Sequence, residues 1–136
     1  MDFFTAMEVS ASGLSAQRVR MNVASSNLAN ASTTQTPGGG PYQRRDVALR
    51  SAPIAGAPPG VSGVAVDRIV ADPLPPRLEY DPGHPDADVD GYVAYRNVNP
   101  VEEMVDMITS SRAYEAGVTA LTTSVSMAER ALGIGR

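Results

Sequence analysis

Apolar positions recur at steps of three and four in two long stretches, one at each end of the chain. From Phe3 to Asn30 the positions Phe4, Met7, Ala11, Leu14, Arg18, Met21, Ser25 and Leu28 keep that rhythm without a slip, and six of the eight are apolar. This is the seam of a coiled-coil helix. A second stripe, Val9, Ser12, Ala16, Val19 and Val23, runs beside it, so this helix is expected to be covered on two sides. Asn27 and Asn30 are poor in a helix interior, and Ser32 to Pro41, reading STTQTPGGGP, cannot continue it.

The other long period opens at NVNPVEEM. Asn99 suits an N-cap, Pro100 the first helical position, and Glu102 stands three after Asn99 as in a capping box. Met104, Met107, Ser111, Tyr114, Val118, Leu121, Val125, Ala128 and Leu132 then step by three and four. The spacing predicts a helix of about 33 residues, roughly 50 Å long, ending at Gly133 to Gly135. Glu102, Glu103 and Asp106 at its start and Arg130 near its end match the helix dipole.

Between these helices the period changes. Short runs near Val47, from Val64 to Val70, ending at Tyr80 and starting at Tyr92 have strand character and are separated by Pro- and Gly-rich turns. The expected class is therefore α+β: terminal helices forming an antiparallel coiled-coil-like bundle, with a small β-rich module between them. Residues 1–31 read as the first helix, 32–60 as an irregular linker with room for one short strand, 61–96 as the β module and 97–136 as the second helix. Ser51 to Gly60 reads as a mobile loop.

Composition argues against a self-sufficient core. Among 136 residues there are two Phe, five Tyr and no Trp, but 12 Gly and 11 Pro. Small side chains bury little apolar area each. Two antiparallel helices can cover each other within one chain, but the charges point further. Met21 to Gln43 and Ala116 to Ala128 carry no charge at all. A solvated helix face normally carries Lys, Arg, Asp and Glu; these stretches carry Ser, Thr, Ala and Asn, which suit close packing and cross-helix hydrogen bonds. The helices are expected to pack on several sides, against more helices than one chain owns.

The net charge of −4 gives no footprint for nucleic acid. With no Cys, disulfides and thiolate metal sites are excluded. No run reaches the ~20 apolar residues of a membrane span, and the start lacks the pattern of a cleaved secretory signal. An integral membrane protein is not expected.

Candidate chemistry is thin. Asp86, Asp88, Asp90 and Gly91 match the first half of an EF-hand loop, but position 12 is Asn97 where a bidentate Glu is needed. The alternative is a tight acidic turn between two strands. His84 is the only His and has no nucleophile or second ligand in a recognisable motif. Gly38-Gly39-Gly40 lacks the Lys and Ser/Thr of a phosphate loop. Arg44 and Arg45 read as an exposed pair at a strand start, with contact to an acidic partner as the alternative. No catalytic residue, metal site or cofactor is expected.

Four segments carry a resemblance. NVASSNLANASTT, with Asn27, Leu28, Ala29 and Asn30, resembles the signature of the rod and hook axial proteins of the bacterial flagellum. PGGGPYQRR, YDPGHPDADVDGYV (His84, Pro85, Asp86, Gly91, Tyr92) and NVNPVEEMVDMITSSRAYEAGV (Asn97, Asn99) are similar to the continuation found in proximal-rod members of that family. The resemblance implies a non-catalytic subunit of the rod, the drive shaft that crosses the periplasm and whose lumen passes later subunits. It also implies export through the flagellar type III apparatus. The implied partners are other proximal and distal rod proteins, the inner-membrane ring and its adaptor, and the rod-capping peptidoglycan hydrolase. Two seams are expected to serve assembly: Phe4, Met7, Ala11, Leu14, Met21 and Leu28 on the first helix, and Met104, Met107, Tyr114, Val118, Leu121, Val125 and Leu132 on the second. A calcium module carrying a helical hairpin and a coiled-coil scaffold outside the flagellum are the competing readings.

Overall fold

A computed structural model describes residues 2–135. Helix α1 spans Phe3–Ala29 and helix α2 spans Pro100–Ile134. Four strands lie between them: β1 (Arg45–Pro53), β2 (Ser62–Ala71), β3 (Arg77–Tyr80) and β4 (Tyr92–Tyr95). The class is α+β, as the periodicities predict.

Local chemistry sets the helix ends. Asp2 caps α1, its Oδ1 accepting from the Thr5 N–H at 2.7 Å. Asn30 closes the other end: its backbone N–H and its Nδ2 both donate to the Ser26 carbonyl. Asn99 caps α2 by accepting from the Val101 N–H at 3.0 Å, with Pro100 behind it.

The helices run antiparallel. Asn27 meets Glu103 at one end, Arg20 approaches Asp106 at 3.9 Å, and Leu14 lies against Gly117. A methyl group at Gly117 would come within 2.8 Å of Leu14 Cδ2, so the missing side chain admits Leu14. On α2 the facing track therefore runs through Glu103, Ser110 and Gly117, at steps of seven. That track lies one residue before the expected Met104, Ser111 and Val118. Met104 and Val118 are turned outward, 48% and 37% exposed, because one residue is a rotation of roughly 100° on a 3.6-residue helix.

The second side of α1 is covered from within the chain. β1 and β2 pair antiparallel along their full length, from Arg45 opposite Ala71 to Pro53 opposite Ser62, with a register shift between Ala48 and Leu49. This ribbon lies along α1. At one end Ser12 Oγ accepts from the Val64 N–H at 3.0 Å while donating to the Val9 carbonyl at 2.7 Å. A Cβ on Gly63 would stand 2.6 Å from that oxygen. At the other end Asn27 grips Arg45.

The one short strand for which residues 32–60 have room is present at Val47 and runs longer than expected: β1 takes nine residues, and Ser51–Pro53 of the expected loop belong to it. Its side chains show no clean two-residue alternation, and its exposure along the strand does not alternate either. The β3–β4 hairpin is a separate two-stranded sheet with Tyr80 opposite Tyr92. Buried apolar residues are few: Ala16, Ala24, Tyr42 and Val93 among those described. No helix among the described residues is long and apolar enough to cross a membrane.

Candidate functional site

The most ordered chemistry is a buried polar clasp where α1 ends, β1 begins and α2 starts. Asn27 is 1% exposed. Its Nδ2 donates to the Arg45 carbonyl at 2.8 Å and to Glu103 Oε2 at 3.0 Å. Its Oδ1 accepts from the Arg45 N–H and the Tyr42 hydroxyl, each at 3.0 Å. Both donors and both lone pairs of the carboxamide are thus engaged, and this fixes which way the amide points.

Glu103, equally buried, accepts from Arg44 Nε at 2.6 Å through Oε1. Arg44 also reaches Asp72 at 3.5 Å. Burial works against the Arg44 charge, but the hydrogen bond and charge of Glu103, with Asp46 and Asp72, outweigh it and hold its pKa above the ordinary value. The clasp joins four segments that are far apart in sequence.

Sequence reasoning finds Asn27 through its motif but misses its partners. Arg44 is not an exposed strand-start residue but takes the alternative role, meeting the acidic Glu103 and Asp72, and Glu103 does more than complement the helix dipole. The available signal is a Glu on the same face as Ser110 and Gly117, seven and fourteen residues on, with an uncompensated Arg pair after the glycine run.

The second motif forms the turn between β3 and β4. Asp88 Oδ1 accepts from the N–H groups of Asp90 and Tyr92, at 2.9 and 2.8 Å. Asp81 accepts from Gly83, and His84 Nδ1 from the Asp86 N–H. Thr34, after α1, donates to Asp86 Oδ2 at 2.7 Å. Gly91 has φ 84° and would press a side chain to 2.9 Å from the Tyr80 ring, so no other residue fits without strain. The His84 ring stands edge-on to Tyr95. Among the described residues no group of three His, Asp or Glu is placed to hold a metal ion. Pro85 and Asn97 are exposed.

The predicted seams divide between the interior of the chain and its surface. Met7, Leu14, Met21 and Leu28 on α1 and Met107, Tyr114, Leu121 and Val125 on α2 are half-buried. Phe4, Ala11, Met104, Val118 and Leu132 are exposed. The α2 surface adds Val101, Val105 and Ile108 near its start and Met127 and Ile134 near its end, all more than half exposed. Between them the uncharged stretch shows Thr119, Ala120, Thr122, Thr123 and Ser126 to solvent. One side of α2 is therefore covered by α1 while much of the rest is bare, apolar or neutral.

Comparison with known proteins agrees with these motifs. Residues 7–35 match the family described as "Flagella basal body rod protein". Residues 89–134 match "Flagellar basal body rod FlgEFG protein C-terminal". Proteins named flagellar basal-body rod protein FlgC align over nearly the whole chain. The Borreliella burgdorferi protein is 45% identical over 98% of both chains. The Bacillus subtilis protein is 43% identical over all of both, and the Aquifex aeolicus protein 41% identical over 96% of this chain and 95% of its own.

Proposed function

This chain belongs to the FlgC family of flagellar basal-body rod proteins, and we propose that its bare α2 face is the surface by which it builds the proximal rod. It is a structural protein of the rod, and rod components are its partners. The observation that carries the proposal is the Ala116 to Ala128 stretch, which has no charge and yet exposes Val118 and Met127. A bare helix face of this kind gains by being covered: each half-exposed aliphatic side chain contributes about 1 kcal/mol on burial.

In this reading α1 and α2 of neighbouring subunits lie together in a tube, and torque is shared over many staggered helix contacts. The lumen passes later subunits, and the β hairpins make lateral contacts. The inner-membrane ring and its adaptor, distal rod proteins, the rod-capping hydrolase and the type III export apparatus are the proposed specific partners. The chain performs no catalysis. The clasp aligns the β ribbon with the helix pair, so that each subunit offers one rigid shape.

The test is a deletion strain with an epitope-labelled copy restored. The proposal expects lost motility on deletion, recovery on restoration, and label in the rod of purified basal bodies. Label absent from basal bodies of swimming cells would refute it.

A further inference from the structure

We propose that the cleft between the Gly38–Gly40 loop and the arginines Arg45 and Arg96 is a socket for a carboxylate, filled in the rod by Asp90 of a neighbouring copy. This rests on the rod reading and specifies one contact within it. The cleft has a volume of about 670 Å³ and is lined by the loop, Tyr42, Arg45 and Arg96, with no acidic side chain.

The ion pairs show why these two arginines differ from the others. Of the six arginines between the helices, Arg44, Arg50, Arg68 and Arg77 each reach a carboxylate within 4 Å. Arg45 and Arg96 have no such partner among the described residues, and both line this one cleft. Arg45 lies over the Tyr42 ring at 6.0 Å. Arg96 is held by its Nη1, which donates to the Leu74 carbonyl at 2.7 Å, while its Nε is buried without a hydrogen-bond partner. The Nε is closed to an incoming group, so Arg96 offers the cleft its terminal guanidinium nitrogens and its charge. The planar fork suits a carboxylate or a phosphate, and carboxylates are the anions that copies of this chain can supply.

The chain itself supplies a matching projection. Asp81, Asp86, Asp88 and Asp90 lie exposed in one turn, and none reaches an arginine among the described residues. Asp81, Asp86 and Asp88 spend carboxylate oxygens on local hydrogen bonds. The Asp90 carboxylate receives none among the described residues, and the adjacent Val89 is fully exposed at 102%. Unpaired cations in a cleft and an unpaired anion on a knuckle of the same chain are complementary across two copies placed head to tail.

The native chain has no Cys, so cross-links can be assigned. Gln43→Cys and Val89→Cys chains are co-expressed, basal bodies are purified and oxidised, and disulfide dimers are sought, with each variant alone as control. The socket predicts a dimer containing one of each variant, formed only in assembled rods. It also predicts that Arg96→Glu and Asp90→Arg each abolish swimming, and that the two changes together restore it. Both variants present in basal bodies without a mixed dimer would overturn the proposal. So would cross-linking of Gln43→Cys to a different protein. If the chain is missing from basal bodies altogether, the rod reading itself falls.

Discussion

Changing Asn27 to Asp replaces one NH2 group by an oxygen and leaves shape almost untouched, yet the clasp should not survive it. The two donated bonds, to the Arg45 carbonyl at 2.8 Å and Glu103 Oε2 at 3.0 Å, become contacts between acceptors. A lost bond to a charged group is worth ~1.5–3 kcal/mol and one to a neutral carbonyl ~1 kcal/mol. Two carboxylates then face each other with 1% exposure on each side, which adds repulsion that Arg44 only partly offsets. The expected loss is about 3–5 kcal/mol, the range for breaking a buried charged pair. Urea unfolding followed by circular dichroism measures it. Adding Glu103→Gln returns a donor to the pair, since the new amide can point its NH2 at the introduced carboxylate while its oxygen still accepts from Arg44. The double variant should recover about half of the loss, because the Arg45 carbonyl stays unmatched. A single Asn27→Asp variant within about 1 kcal/mol of the native chain, the worth of one ordinary hydrogen bond, would refute the buried four-bond geometry.

Gly63→Ala places a methyl carbon 2.6 Å from Ser12 Oγ, so the ribbon must shift or Ser12 must give up both its bonds. A cost of ~1–3 kcal/mol should appear as a lower urea midpoint, and an unchanged midpoint would mean the ribbon does not lie against α1. Millimolar calcium should leave the melting temperature unchanged, because Asp88 holds two backbone N–H groups; a rise that disappears on replacing Asp86, Asp88 and Asp90 by Asn would contradict this. The Thr5 N–H lowers the Asp2 pKa below 3.8, so the cap's contribution is complete above that pH and is lost as pH falls through the lower folded value. Carbon-detected NMR should show the Asp2 carboxyl titrating below 3.8 with the Thr5 amide following; a midpoint at or above the ordinary value would remove the cap.

Both helices and the cap Asn99 are legible in the sequence, because a 3.6-residue period sustained over many turns leaves little ambiguity; Asn30 is legible there only as a residue that ends the helix. The phase of α2 is less legible. Met104 and Val118 are the larger apolar residues, so the pattern favours their track. The face that meets α1 instead uses Glu103, Ser110 and Gly117, where small size and a clasped carboxylate permit close approach. Hydrophobic periodicity does not register such a face. Arg44 and Glu103 are 59 residues apart, and nothing local in either segment signals that they meet. The run near Val47 is legible as a strand, but its length is not, because Ser51, Ala52 and Pro53 lack strand-type side chains and extend β1 only by pairing with Val64, Gly63 and Ser62. The two stripes on α1 do correspond to cover on two sides, but one of the covering elements is the chain's own ribbon. The unsatisfied surface therefore belongs chiefly to α2.

The most direct test of that surface is Val118→Asp as the sole copy in the cell. Val118 is 37% exposed in the single chain, so the purified variant should be within about 0.5 kcal/mol of the native protein in stability, as surface changes are. In a rod where neighbouring helices cover it, the carboxylate must be desolvated without a partner, at a cost of several kcal/mol per subunit. The account predicts a folded, exported protein, no completed rod and no swimming. Normal swimming with only the Val118→Asp chain would mean that this face of α2 remains in water, contradicting the claim that it builds the rod.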